Sequence, residues 1–235
     1  MPTHVDPKNE AELKSAIARL TKKLRAQAIK YTLAQKVAAR LARQRQTLKA
    51  WRATRNRQLA KIANHGRRAV VKEALRYVGQ TENPAGSNKG PGIISKCQTE
   101  LIGYDGVAWC GCFGAFFLRH FGGVAVTARM AYCPSNVTDA MAAQKSGKPV
   151  NGWRGTRGDK TKGQAGDCAM MDWQRDGIAD HFVILVEYLG NGFYSTVEGN
   201  TSFDDAGSQS NGGCVAHKKR HVNDIAAICI PDYRS

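Results

Sequence analysis

The feature that most constrains this fold is a stretch of 58 residues, from Lys8 to His65, that contains neither glycine nor proline. Alanine, leucine, arginine, lysine and glutamine dominate the stretch, and these residues favour helices. Asp6 and Pro7 precede it, and this pair is typical of a helix N-cap and first turn. The sequence therefore predicts that residues 1–66 form a basic helical arm.

Apolar residues recur along the arm at alternating spacings of three and four, as they do in coiled coils. Polar residues interrupt this stripe at Gln27, Arg45, Arg52 and Arg55. A single rod of this length would span about 85 Å, at about 1.5 Å rise per residue, and could not pack along its whole length on the rest of the chain. We therefore expect the arm to project, to fold back as a helical hairpin, or to self-associate with another copy.

The positive charge of the chain is concentrated in this arm. Residues 1–68 carry 18 lysines and arginines against three acidic residues, whereas residues 69–235 carry 17 against 16. Such an arm is either a solvated linker or a segment held on an anionic polymer, such as teichoic acid, phospholipid headgroups or nucleic acid. Tyr31 and Trp51 are its only aromatic residues, so specific nucleic-acid binding is not expected.

The cysteines and the N-terminal sequence bear on the compartment. Seven cysteines at irregular spacings cannot all pair, which indicates synthesis in a reducing environment. The first residues lack the apolar block of a secretory signal, and no stretch reaches the roughly 20 apolar residues of a membrane span. We expect no metal, because CxxC pairs are absent, although Cys110, Cys112 and Cys133 could contribute to an irregular zinc site.

Residues 67–235 have the pattern of an α+β domain. A short helix is predicted over about 68–78, followed by a turn-rich loop over 80–92. Residues 109–121 carry phenylalanines at helical spacing and precede two glycines that stop a helix. Apolar segments of strand length begin at Cys168 and His181, and further strands are expected around Val215 and over Ile225–Pro231. We therefore expect a small, mainly antiparallel sheet packed against helices.

A hairpin signal brings three polar residues together. Asn191 and Gly192 are typical of a two-residue turn, and strand alternation then places His181 on the face that carries Glu198 and Asn200. A three-residue loop would reverse this arrangement.

Cys110 is the candidate nucleophile, because it would lie in the first turn of a helix, where the dipole favours a thiolate. A thiol nucleophile needs a base, and the base needs a residue that fixes its tautomer. His181 fits the first role, and Glu198 fits the second, with Asn200 sharing or taking it. Cys112 would point about 200° away around the helix, and His120 would lie about 15 Å along it. The other five cysteines have no expected partner.

Residues from about 70 to 235, about 70% of the chain, resemble the CHAP domains (cysteine, histidine-dependent amidohydrolase/peptidase) of bacteriophage endolysins and bacterial cell-wall hydrolases. Five segments occur in the family's order, and their specificity lies in the combination: GQTENPAGSNKGPG, AWCGCF, QAGDCAMMDW, ADHFVILVEY and VEGNTS. The second cysteine of AWCGCF departs from the small or apolar residue common there, and the basic arm stands where relatives have wall-binding modules.

The resemblance implies a papain-like α+β CHAP fold and a peptidoglycan amidase or endopeptidase that needs no cofactor. Cys110 would be the nucleophile, His181 the base, and Glu198 with Asn200 its polar partners. Asn88, in the loop before the nucleophile, and Trp109 are candidate substrate-binding residues, and Trp109 is equally well read as a core aromatic.

The lack of an export signal would fit a lysin that stays in the host cytoplasm and acts on the wall after its release, where the arm would bind anionic wall polymers. The alternatives are a protein-directed cysteine protease, a virion-associated lysin, or a basic nucleic-acid-binding protein with an inactive CHAP-like domain.

Overall fold

The computed structural model describes residues 65–204 and 207–233, together with 14, 15, 17–19, 38–47, 49, 50 and 53. The chain divides into two compact units, Met1–Lys61 and Ile62–Ser235, whereas the sequence analysis placed the boundary between residues 66 and 67. Every described residue of the first unit is helical, and Leu41 of the apolar stripe is buried. These positions agree with the predicted arm, whereas Asp6 and Pro7 lie outside the described residues.

The described part of the second unit contains four α-helices. They are α1 (His65–Leu75), α2 (Ile93–Ile102), α3 (Cys110–Gly122) and α4 (Cys133–Ser146), with short 3-10 helices at Ala128–Ala131 and Val222–Asp224. No helix in the described residues is long and apolar enough to cross a lipid bilayer. The helix predicted over 109–121 is confirmed, and Gly123 ends it in the left-handed conformation at φ 66°.

Helix α1 begins and ends three residues earlier than predicted. In its first turn, Arg67 Nη1 donates to Oδ1 of the buried Asp167 at 2.6 Å. Arg157 Nε donates to the other oxygen of Asp167 at 2.9 Å. Two guanidinium groups thus neutralise one buried carboxylate. This arrangement gives the Gly166-Asp167 pair a structural role, because it attaches α1 to the sheet.

Six antiparallel strands form one sheet, which establishes the α+β class. They are β1 (Trp153–Thr156), β2 (Cys168–Met171), β3 (His181–Gly190), β4 (Phe193–Thr201), β5 (Cys214–His221) and β6 (Ile225–Pro231). Their order across the sheet is β1-β6-β2-β3-β4-β5. Since Met171 pairs with His181 and Ala169 pairs with Val183, the face that carries His181 also carries a buried apolar cluster that includes Leu185 and Ile228.

The β3–β4 hairpin has the predicted two-residue loop. Asn191 and Gly192 have φ values of 52° and 78°, and positive φ at both positions is what a tight hairpin turn of this twist requires. Two irregularities follow, between Leu185 and Glu187 and between Tyr188 and Gly190. Each shifts the register by one residue, so together they restore the parity that the sequence predicted.

Three glycines let α3 approach its neighbours closely. A Cβ on Gly114 would lie 2.0 Å from the Phe182 ring, and one on Gly199 would lie 2.5 Å from the Trp109 ring. A Cβ on Gly111 would lie 2.4 Å from the Met130 carbonyl oxygen. The helix is therefore held against both the sheet and the 3-10 turn that precedes α4.

We expect Gly111→Ala to destabilise the fold by about 1–3 kcal/mol, because the added methyl group meets backbone oxygen atoms that cannot rotate away. Urea unfolding at neutral pH would measure this loss. The matched control is Gly158→Ala, since no described atom lies within 4 Å of a Cβ at that position, and we expect a change within about 0.5 kcal/mol. Equal effects of the two substitutions would show that α3 is not tightly packed at Gly111.

Candidate active site

The candidate nucleophile, Cys110, is the first residue of α3 and is 4% exposed. The Phe113 N–H donates to the Trp109 carbonyl at 2.8 Å, so the N–H groups of residues 110–112 precede the first intrahelical hydrogen bond. These groups form the positive end of the helix dipole, which stabilises a thiolate. The predicted first-turn position of Cys110 is therefore confirmed.

The surroundings of Cys110 favour its ionised form. The Cys133 thiol is 3.6 Å away, sulfur to sulfur, and a hydrogen bond from this thiol is the largest cause that lowers the pKa of Cys110. Burial opposes this effect, but the charge of His181 and the N–H of Phe182 add to it, and the pKa of Cys110 lies well below the ordinary thiol value. These contacts therefore favour the thiolate form of Cys110.

His181 is the first residue of β3 and is fully buried. Its Nε2 lies 3.2 Å from Glu198 Oε2, as the hairpin argument predicts. Its Nδ1 has no hydrogen-bond partner among the described residues and is therefore the ring nitrogen left to exchange a proton with Cys110. Burial lowers the pKa of His181, but its electrostatic interactions with Cys110 and Glu198 outweigh burial and raise it to about 9.

Glu198 is fully buried and is fixed by Arg220. The guanidinium group of Arg220 donates from Nε to Oε1 at 2.8 Å and from Nη2 to Oε2 at 2.5 Å, and the Thr196 hydroxyl also donates to Oε1. Burial alone would raise the pKa of Glu198, but Arg220 and His181 together hold it well below its usual range. Glu198 therefore remains a carboxylate that orients the imidazole.

Arg220 is a residue that the sequence did not bring to the site. It lies near the end of β5, in a basic run that the strand prediction around Val215 did not reach. Its guanidinium carbon also lies 5.2 Å from the ring centroid of Trp173, and that ring is 5.6 Å from His181. The available signal was indirect, because a carboxylate predicted to be buried beside a histidine requires a cation to compensate its charge.

Asn200 does not serve as a partner of His181, which corrects the prediction. Its amide nitrogen donates to Asn211 Oδ1 at 3.2 Å and to the Ser210 carbonyl at 3.4 Å. The reason lies in the backbone, because Asn200 has a left-handed φ of 59° and the β4–β5 register shifts between Glu198 and Thr201. This irregularity breaks the alternation on which the prediction depended.

The two candidate substrate-binding residues have different outcomes. Trp109 is fully buried, and its Nε1 donates to Glu82 Oε1 at 3.0 Å. Of the two alternatives, a substrate-binding residue or a core aromatic, its position agrees with the core aromatic. Asn88 is half-buried in the loop, has φ 55°, and accepts a hydrogen bond at its carbonyl from Gln98 Nε2 at 2.7 Å. Binding of substrate by Asn88 stays a prediction.

Of the other cysteines and histidines considered in the sequence analysis, Cys112 and His120 lie away from the Cys110 thiol, whereas Cys133 contacts it. Cys112 is fully buried, and burial is the main cause that raises its pKa to about 12. His120 pairs with Glu100 at 2.7 Å on the surface, away from the nucleophile. Cys133, in contrast, touches Cys110, so the expectation that it has no partner is wrong. The described residues contain no group of three or more His, Cys, Asp or Glu side chains that could hold a metal ion.

No family model matches this chain, and neither a curated protein nor a solved structure matches it.

The titration of His181 offers a test of the site that does not depend on activity. We expect the imidazole to titrate near pH 9 and to titrate at lower pH in Cys110→Ser, because the thiolate is the main charge that raises its pKa. A folded pKa above the unfolded value of about 6.5 stabilises the fold below that pH, and this contribution is lost as pH rises through about 9. NMR of the histidine ring protons measures the titration in the wild type and in Cys110→Ser. An unchanged titration would show that Cys110 and His181 do not interact.

Proposed function

We propose that this protein is a cysteine peptidoglycan hydrolase with a papain-like CHAP domain, acting as an N-acetylmuramoyl-L-alanine amidase or as a peptidoglycan endopeptidase. The observation that carries the proposal is a thiol at a helix N-terminus beside an imidazole that a buried carboxylate orients. This arrangement suits nucleophilic cleavage of an amide. Peptidoglycan as the substrate is supported by the resemblance of five sequence segments and by the basic arm.

In the proposed mechanism the Cys110 thiolate attacks the carbonyl carbon of a stem-peptide amide. In this proposal, backbone N–H groups at the start of α3 stabilise the oxyanion that develops. The His181 imidazolium gives its proton to the leaving amine, and a thioester remains on Cys110. His181 then removes a proton from water, which hydrolyses the thioester and regenerates the thiolate.

Glu198 and Arg220 are positioning residues in this mechanism. Glu198 accepts a hydrogen bond from Nε2 of His181. Proton exchange with the thiol and with the leaving amine therefore takes place at Nδ1. Arg220 keeps Glu198 ionised through two parallel hydrogen bonds, a geometry that only a guanidinium supplies. A carboxylate held this way stabilises the imidazolium without taking its proton.

Digestion of purified peptidoglycan tests the proposal. Mass spectrometry of the products should show new amino groups on alanine, if the glycan-to-peptide amide is cut, or on a cross-bridge residue, if the peptide is cut. A denatured-protein panel, run in parallel, should show little cleavage. If the denatured proteins are cut and the peptidoglycan is not, the protein is instead a protein-directed protease.

The arm is proposed to retain the enzyme on the anionic wall after release from the host cytoplasm. Deleting residues 1–61, which leaves α1 whole, should keep cleavage of soluble fragments within about 2-fold. Wall binding should weaken, most strongly at low salt, because the screening length is about 30 Å at 0.01 M and about 8 Å at 0.15 M. Pelleting with purified walls measures binding, and unchanged binding would make the arm a linker or a partner helix.

A further inference from the structure

The hydrolytic mechanism uses Cys133 only as a hydrogen-bond donor to Cys110 and does not require this donor to be a thiol. The two residues are the first residues of α3 and α4, and their sulfur atoms are 3.6 Å apart. They are 23 residues apart in sequence, and the close contact of Gly111 with Met130 and Ala131 brings the two helix starts together. A disulfide needs the sulfur atoms at about 2.05 Å, so closing the bond requires a movement of about 1.5 Å.

We propose that Cys110 and Cys133 form an oxidation site, in which a hydroperoxide converts the nucleophile into a disulfide that a small thiol reductant can open again. The inference rests on the proposed function only in the reactivity of Cys110. It assigns Cys133 the role of the resolving thiol, the cysteine that attacks the oxidised sulfur of its partner and closes the disulfide.

The chemistry balances in two steps. The Cys110 thiolate attacks one oxygen of the hydroperoxide, the O–O bond breaks, the alcohol or water leaves with a proton, and a sulfenic acid forms. The Cys133 sulfur then attacks the Cys110 sulfur, water leaves, and the S–S bond closes. The two sulfur atoms together lose two electrons, and Cys133 loses its proton. The second proton that the hydroperoxide takes up comes from the His181 imidazolium, because Cys110 reacts as a thiolate. Two equivalents of a thiol reductant reverse the change by exchange.

Access and orientation favour this pair over the other cysteines. Cys110 and Cys133 are 4% and 6% exposed, whereas Cys214 is 3% exposed, Cys97 is 1% exposed and the other cysteines have no exposure. We therefore expect a small oxidant to reach this pair before the other thiols. Cys112 is closer to Cys110 in sequence, but it points to the far side of α3, which makes it a matched control.

The oxidised form should be catalytically silent, because the nucleophilic sulfur is then bonded to Cys133. The same bond protects Cys110 from further oxidation to sulfinic or sulfonic acid, which thiols cannot reverse. The pair would thus store the hydrolase in a reversible form under oxidising conditions.

Peptide mapping of the full chain, treated with hydrogen peroxide and then digested without reductant, tests the proposal. We expect a linked peptide pair containing residues 110 and 133 and a mass loss of about 2 Da. The free thiols should fall from seven to about five, and dithiothreitol should restore both the thiols and any measured hydrolysis. Cys112→Ser should give the same linked peptides.

In Cys133→Ser the same treatment should leave Cys110 about 32 or 48 Da heavier, and dithiothreitol should not reverse this change. If the wild-type chain shows no 110–133 link, links Cys110 to Cys112, or leaves Cys110 unmodified, the proposal is overturned. These readouts follow thiols and masses, so a chain that forms the link and cuts no peptidoglycan would refute the proposed function and leave the oxidation site standing.

Discussion

Cys110→Ala is expected to abolish the hydrolysis of purified peptidoglycan, with a fall in kcat/KM of at least about 10³-fold. The substitution removes the only sulfur that lies at the helix N-terminus and interacts with His181 in the described structure. Without it no thioester forms, and the imidazole loses the charge that raises its pKa. Turbidity loss of a wall suspension and release of soluble amines measure the effect.

Cys112→Ala is the matched control for this substitution. Cys112 is two residues away, equally buried and also a thiol, but burial raises its pKa to about 12 and holds it in the neutral form. Hydrolysis by this variant should stay within about 3-fold of wild type, with some loss of stability from the small cavity. If Cys112→Ala abolished hydrolysis and Cys110→Ala did not, the nucleophile would have to be moved to position 112.

The parts of the site that the sequence predicted depend on local signals. Gly122 and Gly123 mark the end of α3, and the length of that helix then places Cys110 at its start. Asn191 and Gly192 specify the hairpin, which brings His181 and Glu198 to one face. Such signals involve residues close in sequence, where backbone preference and side-chain period decide the structure without knowledge of the tertiary fold.

The parts that escaped prediction depend on irregular backbone and on contacts between distant elements. The two register shifts in the β3–β4 hairpin add up to two residues and therefore leave the predicted face unchanged, whereas the shift in the β4–β5 pair accompanies the turning of Asn200 away from His181. Cys133 and Arg220 reach the site from α4 and β5, and no periodicity within either element indicates what it meets. The sequence therefore predicts the positions of Cys110 and His181 more readily than the groups that tune their charge.

The second large expected effect is a loss of folding stability when Arg220 is replaced, because the charge of Glu198 depends on this guanidinium group. Glu198 is fully buried, so its charge is stabilised by protein groups and not by water. Removing one partner of a buried ion pair typically costs about 3–5 kcal/mol, because the other charge remains uncompensated. A folded pKa below the unfolded value stabilises the fold above the unfolded pKa, and this contribution is lost as pH falls through the folded pKa.

Arg220→Met is therefore expected to destabilise the fold by about 3–5 kcal/mol at pH 7 and to reduce the loss of stability on acidification, because Glu198 titrates closer to its unfolded pKa. Glu198→Gln combined with Arg220→Met should be more stable than the sum of the single changes predicts, by about 1–3 kcal/mol. Urea unfolding measures all four proteins. Arg154→Met is the control, since Arg154 is 66% exposed and binds Asp232 on the surface, where an ion pair contributes at most about 1 kcal/mol. Equal losses in Arg220→Met and Arg154→Met would mean that Glu198 does not depend on the guanidinium group, and the assignment of Arg220 as a positioning residue would then be wrong.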